Sequence, residues 1–301
     1  MYLLAEVFPW VRRIHIPLNR DQWMLLMAAM NEIILGTDTY LAHSISGTIR
    51  NGEWVPIIFG PIAGILLLVA GLIALRRRIL ANLIASGIFL ASVVVGLLGS
   101  YFHLNRIFQT GAQLDEQLSS QLIVYGPPVL GPLTFALVAV LGISAAWQEE
   151  PVDSGRLHLF GNLRVQMPLS KTRAYFLLVA VFLLVTLLSS VIDHAKTNFD
   201  NPWLWVPTIV GSFAVLVTMA MGAFSRLGRG DLITYLVTMA LLVGAGLLGT
   251  FFHIQRNLGN LGIIVDERFI HGAPLLAPLL YANMAVLGII VLLEPEVNHN
   301  E

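Results

Sequence analysis

A histidine follows two glycines in two similar stretches of this sequence, residues 96–106 and residues 246–256. The glycines precede the histidine by seven and four residues, so in a helix all three lie on one face. A helix face without side chains, next to an imidazole, allows either a flat ligand or another backbone to approach closely. These residues are Gly96, Gly99 and His103 in the first stretch and Gly246, Gly249 and His253 in the second.

Two further histidines, His43 and His194, lie at matching positions about 20 residues into apolar segments, which places them at the same end of the molecule as the first two. In a four-helix bundle the first and third helices commonly face each other across the core. His43 is then expected to approach His103, and His194 to approach His253. Two converging imidazoles are the axial ligands of many b-type haems. The sequence therefore predicts haem b binding, with the glycine-lined faces next to the macrocycle.

Carboxylates that follow each histidine stretch permit a second interpretation, a non-haem metal ion. An Asp-Glu pair stands at nearly the same distance after both stretches, and mixed nitrogen and oxygen ligands suit iron, copper, manganese or zinc. Arg106 and Arg256 are expected to pair with these carboxylates or, in the first interpretation, with haem propionates. The ligand set would be His43, His103, Asp115 and Glu116 in one copy and His194, His253, Asp266 and Glu267 in the other.

Glu32 has no counterpart among the repeated polar residues. It lies eleven residues before His43 on the same helical face, and the matching position of the second copy is Leu183. An ionisable side chain midway along an apolar segment is costly and indicates function. We expect Glu32 to relay protons or to contact a quinone; hydrogen bonding within the bundle is the structural alternative.

The elements that position these side chains are apolar helices. Of the 301 residues, 56% are hydrophobic and 12% are charged, about half the charged share of a soluble domain. The chain has no cysteine, which excludes disulfides, iron–sulfur clusters and thiolate metal sites. Eight apolar runs are each long enough to cross a hydrocarbon core of about 30 Å. They cover residues 22–45, 55–75, 79–103, 128–147, 173–195, 204–225, 232–254 and 273–293.

Further landmarks recur in the same order, which indicates an internal duplication. The Trp-Val-Pro of residues 54–56 returns at 205–207, and the proline-containing segment 126–133 returns at 272–279. Because four spans are an even number, both copies face the same way across the membrane. We predict an all-α integral membrane protein of eight transmembrane helices in two tandem, parallel four-helix repeats. Its parts are a lead at residues 1–21, the first repeat at 22–147, a linker at 148–172, the second repeat at 173–294 and a polar tail at 295–301.

The distribution of basic residues predicts the orientation. Twelve of the 17 Lys and Arg residues fall on one side of the predicted spans, and the positive-inside rule assigns that side to the cytoplasm. Both termini are expected there, with the histidines at the outer face of a bacterial cytoplasmic membrane. The net charge of −1 argues against nucleic acid as a partner.

Three functions fit these residues. The first is an electron-transfer subunit in which haem b exchanges electrons with a quinone or an outer redox partner. The second is an outer-facing membrane enzyme or metal-handling protein with a non-haem metal. The third is a non-catalytic anchor whose repeated polar residues hold other subunits of a membrane complex. A transporter is less favoured because polar residues are sparse along most spans.

Overall fold

The computed structural model describes residues 3–14, 17–45, 47–113, 119–159, 163–259 and 264–293, and its main elements are long helices. Three short 3-10 helices lie at Pro9–Arg13, Asn51–Glu53 and Pro202–Leu204. The prediction of an all-α chain is confirmed, apart from a small sheet described below. The α-helices are α1 (Leu3–Val7), α2 (Arg20–Ser44), α3 (Trp54–Ala74), α4 (Arg78–Gln113), α5 (Ser120–Tyr125), α6 (Leu130–Ala146), α7 (Lys171–Ala195), α8 (Trp205–Ala223), α9 (Arg229–Leu258), α10 (Asp266–His271) and α11 (Leu276–Val291).

Helical segments suited to a lipid bilayer are present along most of the described chain. α6 and α11 are apolar but shorter, with 17 and 16 residues. α2 has 25 residues but includes Asp21, Glu32 and Asp38. Membrane-spanning character is therefore confirmed, while the number of eight spans stays a prediction. Five segments are long and apolar enough to cross a membrane: Asn51–Ala74, Arg78–Gly111, Lys171–Ala195, Pro202–Ala223 and Arg229–Leu258.

Helices α2 and α7 begin with similar side-chain caps. The side chain of Asn19 accepts the N–H of Gln22, and the side chain of Gln22 accepts the N–H of Asn19, both at 2.9 Å. Ser170 likewise accepts the N–H of Arg173 at the start of α7. Such caps satisfy N–H groups that have no partner in the first turn. They fix where each helix starts and thus the depth of the histidine near its other end.

The long helices pack in the same order in two sets of four. In the first set, α2 packs on α3, α3 on α4, α4 on α6, and α6 back on α2. In the second set, α7 packs on α8, α8 on α9, α9 on α11, and α11 back on α7. Each set is a closed four-helix bundle whose first and third long helices are diagonal. We call helices α2 to α6 the first half and helices α7 to α11 the second half.

Contacts between the halves come in matched pairs with the roles exchanged. α2 packs on α11 and α7 packs on α6; α10 packs on α2 and α5 packs on α7. A two-fold axis between like subunits produces exchanged contacts of this kind. The buried core continues across this boundary, where Tyr175, Phe176 and Leu183 of α7 are completely buried.

Polar side chains join the halves at the end remote from the histidines. Arg20 donates to the hydroxyl of Thr172 at 2.6 Å, and Lys171 Nζ donates to Asp21 Oδ2 at 2.6 Å. The Tyr175 hydroxyl also donates to Asp21, at 2.9 Å. Positions 20 and 21 match positions 171 and 172 of the second half. The first two contacts are therefore equivalent, again with the roles exchanged.

The predicted linker contains a three-stranded antiparallel sheet. One carboxylate oxygen of Glu149 accepts the N–H of Gly155 at 2.7 Å and the N–H of Lys171 at 2.9 Å, so the sheet is tied to the start of α7. The strands have two or three residues, too few to produce an alternating hydrophobic pattern. They are β1 (Gln148–Glu149), β2 (Arg156–His158) and β3 (Arg164–Gln166).

The N-terminal lead packs on the second half. α1 contacts α9, and the N–H of Leu4 donates to the carbonyl of Leu292 at 3.4 Å. The indole of Trp10 is 59% exposed, a position compatible with the predicted membrane-interface segment.

Candidate functional site

The structure brings His43 and His103 together across the diagonal of the first half. Their ring centroids are 6.0 Å apart, and the ring planes are inclined by 60°. His43 lies near the end of α2 and His103 lies in α4. Both side chains are half-buried, so each imidazole is held by the bundle on one side. We call the end of the two bundles that carries the four histidines the histidine end.

Backbone carbonyl groups orient both imidazoles of this pair. His103 Nδ1 is 2.9 Å from the carbonyl oxygen of Pro128, and His43 Nδ1 is 2.8 Å from that of Thr39. A carbonyl oxygen only accepts hydrogen bonds, so each Nδ1 carries the proton and the lone pair of each ring is on Nε2. Metal-binding histidines usually have this second hydrogen bond, which fixes the tautomer and the ring direction. Neither carbonyl group is marked by a pattern in the sequence.

The separation of the two rings is compatible with a shared metal atom. A metal bound to imidazole nitrogens at about 2 Å from each places the centres of two opposed rings about 6 Å apart. The observed centroid distance of 6.0 Å matches this separation. The two rings meet edge-on at 60°, however, so sharing a metal would require them to turn until both Nε2 atoms point at it.

The second half orients His253 in the same way but gives His194 different neighbours. His253 Nδ1 lies 2.6 Å from the carbonyl oxygen of Pro274, the counterpart of Pro128. The ring of His194 packs edge-on against Phe199, with centroids 5.9 Å apart, and interacts electrostatically with His253. Its Nδ1 is buried without a hydrogen-bond partner. The two predicted pairs thus differ in their ring contacts: His43 packs against His103, whereas His194 packs against Phe199.

The glycine faces contact the backbones of neighbouring helices. The sequence left two possibilities open for these faces, a flat ligand or another backbone, and the structure has the second. A Cβ atom on Gly96 would lie 2.6 Å from the amide nitrogen of Ala136 and 3.0 Å from the Pro132 carbonyl oxygen. A Cβ on Gly99 would lie 2.7 Å from the Pro132 side chain. Only glycine lets α6 approach α4 this closely. In this structure α6 occupies the place that the haem interpretation gave to a macrocycle.

The same helix contact recurs in the second half at every matching position. A Cβ on Gly246 would lie 2.9 Å from the Pro278 carbonyl oxygen and 3.0 Å from the Ala282 amide nitrogen. A Cβ on Gly249 would lie 2.9 Å from the Pro278 side chain. The repeated glycines therefore have a repeated packing role.

Only one of the two loop carboxylate pairs lies within the described residues. Asp115 and Glu116 lie outside the described residues. Asp266 and Glu267 begin α10, which packs on α9 and also on α2 of the other half. Across the described ranges, no three His, Asp or Glu side chains are grouped so that they could hold a metal ion. The non-haem ligand sets are therefore not assembled by the described part of the chain.

The two arginines that follow the histidine stretches are exposed. Arg106 and Arg256 both reach solvent. In the described part of the chain, no carboxylate lies within 4.0 Å of either guanidinium. The expected pairing of Arg256 with Asp266 or Glu267 is thus absent from this geometry.

Glu32 is completely buried in the first half and has one hydrogen-bonded oxygen. Its Oε1 accepts from the hydroxyl of Ser92 at 2.6 Å, and that hydroxyl is also 3.1 Å from the carbonyl oxygen of Phe135. Its Oε2 has no partner. Leu183 is equally buried at the matching position of the second half. Ser92 was missed in the sequence because a lone serine in an apolar run carries no pattern.

At its histidine end the molecule thus holds one imidazole pair in contact and a second pair in which His194 also packs against Phe199. Deeper in the first half it holds a buried carboxyl group. No protein-family model matches the chain, and neither the curated proteins nor the solved structures include a significant match to it.

Proposed function

We propose that the chain crosses the membrane eight times as two parallel four-helix repeats. The matched helix packing and the exchanged contacts between halves support this arrangement, as do the equivalent glycine–proline contacts. The two shorter apolar helices follow proline-containing segments, where proline is tolerated because first-turn N–H groups have no intrahelical acceptor. The buried polar side chains of α2 face protein rather than lipid, which makes a polar span acceptable.

We further propose that the histidine pairs hold a redox-active group, haem b, in an electron-transfer subunit. The observation that carries this proposal is the contact of His43 with His103 at 6.0 Å, with both Nδ1 atoms bonded to carbonyl groups. Haem b with two imidazole ligands would supply one-electron transfer. The protein would hold the two rings in the correct tautomer. The exposed Arg106, one turn further along α4, is available for a propionate, whereas the glycines are assigned to helix packing.

Glu32 is proposed as the proton-handling group of the first half. The hydroxyl of Ser92 has one proton and two neighbouring acceptors, Glu32 Oε1 and the Phe135 carbonyl oxygen. A protonated Glu32 can donate to Ser92 while Ser92 donates to Phe135, so the neutral acid satisfies both groups. A buried acid that can exchange one proton suits a relay or a quinone contact.

The proposed partners follow from the position of the histidines at one end. In the described chain, the only histidine near the other end is His158, in the linker sheet. Electrons would therefore enter and leave at the histidine end, through a quinone, an outer redox protein or further subunits of a membrane complex. The positive-inside rule places that end outside a bacterial cytoplasmic membrane, with both termini in the cytoplasm.

A visible absorption spectrum of the full-length protein in mild detergent tests this function. We expect a Soret band and sharp bands after reduction. His43→Ala and His103→Ala should each abolish most of the first-half signal, because loss of a direct ligand exceeds the roughly 10- to 100-fold loss in affinity caused by outer-shell changes. His158→Ala is the matched control and should leave the spectrum unchanged.

Each alternative has its own result in the same preparation. Elemental analysis that finds stoichiometric iron, copper, manganese or zinc without haem bands would contradict haem binding and support the non-haem metal function. A colourless, metal-free protein that co-purifies with a defined membrane complex would contradict both and support the anchor function.

A further inference from the structure

The turn between α3 and α4 places consecutive arginines beside exposed apolar side chains. α3 ends at Ala74 and α4 begins at Arg78, so the chain reverses over only three residues. Leu75 in this turn is 80% exposed and Ile79 is 69% exposed, although both are large and apolar. An open groove of about 560 Å³ lies here, lined by Arg76, Arg77, Arg78, Ile79, Leu80 and Leu83.

Three consecutive arginines give this groove a concentrated positive charge. Considering the described residues alone, no carboxylate lies within 4.0 Å of Arg76 or Arg77. Arg78 is held in place by Gln148, whose amide oxygen accepts from its Nη1 at 2.8 Å and from its Nη2 at 2.5 Å in the orientation that satisfies both side chains. Within the described chain, one anchored guanidinium group and two that have no carboxylate partner therefore face the same groove.

We propose that this groove binds an anionic phospholipid. Guanidinium groups form paired hydrogen bonds with phosphate oxygens, so the arginines are suited to the headgroup. Ile79, Leu80 and Leu83 offer an apolar surface for the acyl chains. Both flanking helices are apolar enough to cross a membrane, so the turn lies at the bilayer surface, where anionic lipids concentrate basic segments. A soluble phosphate would use the arginines alone and leave the apolar part of the groove uncovered.

The equivalent turn of the second half provides a natural control. Arg226 lies between α8 and α9, and Arg229 is the first residue of α9, so these two arginines are not consecutive. Asp231 follows closely, and its carboxylate accepts the N–H of Gly228 at 2.8 Å. This turn carries fewer positive charges and a nearby negative one, so we expect it to bind anionic lipid more weakly.

Titration of the full-length detergent-solubilised protein with fluorescent phosphatidylglycerol tests the proposal. Each basic residue at an anionic membrane surface is worth about fivefold in affinity, so Arg76→Gln/Arg77→Gln should weaken binding roughly 30-fold. Arg226→Gln/Arg229→Gln removes the same charge elsewhere and should weaken it less than about threefold. Fluorescent phosphatidylcholine should bind both variants and the unmodified protein alike.

Three results would overturn the lipid site. Equal weakening by both double variants would indicate a general effect of surface charge. Displacement of the lipid by inorganic phosphate at similar concentration would indicate a soluble anion site. Unchanged phosphatidylglycerol binding in Arg76→Gln/Arg77→Gln, with a circular dichroism spectrum like that of the unmodified protein, would exclude the arginines as the headgroup contact.

Discussion

The two halves of the molecule share their backbone contacts but differ in their buried chemistry. Both use glycine to bring the third long helix against a proline-containing helix, and both orient a histidine with a proline carbonyl. In the first half, Glu32 contacts Ser92 in the core. The matching residues of the second half are Leu183 and Leu242, which are equally buried. Helix approach is thus common to both halves, whereas the completely buried carboxyl group is found, among the described residues, in the first.

The two halves also differ at the histidine end. His43 contacts His103 directly, while His194 contacts Phe199. Phe199 also packs on Trp205, with centroids 4.6 Å apart. The position that matches Phe199 in the first half is Thr48, which has no ring to place against a histidine. The second half therefore has an aromatic ring against its histidine where the first half has a threonine at the matching position.

The largest change in the free energy of unfolding is expected from exchanging the buried residues at positions 32 and 183 between the halves. Leu183→Glu places a carboxyl group in a core that offers Leu242 where the first half has Ser92. We expect it to lower the free energy of unfolding by about 3 kcal/mol, the cost of an ionisable group deep in a membrane helix. Glu32→Leu should be neutral or stabilising, because it removes the unpaired Oε2 and leaves Ser92 with the Phe135 carbonyl. Unfolding in mixed micelles, followed by circular dichroism, measures both.

The double variant Leu183→Glu/Leu242→Ser sharpens this test, since it rebuilds the Glu–Ser contact in the second half. It should recover part of the stability lost in Leu183→Glu. If Leu183→Glu alone were as stable as the unmodified protein, the core around position 183 would already accommodate a carboxyl group. The proposed difference between the two halves at positions 32 and 183 would then be wrong.

The all-α fold and the membrane helices could be predicted because they depend on hydrophobic runs, which are local in sequence. Juxtaposition of His43 and His103 followed from assigning them to diagonal helices. The role of the glycines could not be decided, since the same spacing permits a flat ligand or a helix backbone. The polar contacts of Lys171 with Asp21 and of Ser92 with Glu32 depend on residues 150 and 60 positions apart. Residues so far apart in the sequence produce no periodic pattern that would identify them as partners.

Substituting the shared glycines should have a smaller effect that is similar in both halves. Gly96→Ala would place its Cβ 2.6 Å from a backbone atom of α6, and overpacking of this kind costs about 1–3 kcal/mol. Gly246→Ala has slightly more room, at 2.9 Å, and should cost less. Thermal unfolding in detergent gives both values.

Glycines on the same helices provide the controls for this prediction. Gly87 of α4 and Gly244 of α9 have no neighbouring atom within 4 Å of an added Cβ. Alanine should stabilise these helices by up to about 1 kcal/mol through its higher helix propensity. Equal responses of Gly96 and Gly87 to alanine would show that α6 does not pack against the glycine face of α4.

Removing the Phe199 ring that packs against His194 should have the smallest effect. Phe199 has a φ of 53°, a backbone conformation that asparagine tolerates well, so Phe199→Asn removes the ring without new backbone strain. An aromatic contact is worth about 0.5–1.5 kcal/mol, and its loss should speed the modification of His194 by diethyl pyrocarbonate roughly two- to tenfold. Mass spectrometry of the modified peptides measures this rate, with His43 in the same chain as an internal reference. An unchanged rate at His194 would mean that the ring of Phe199 does not limit access to this imidazole, and the difference between the two pairs would then have to come from the helices that carry them.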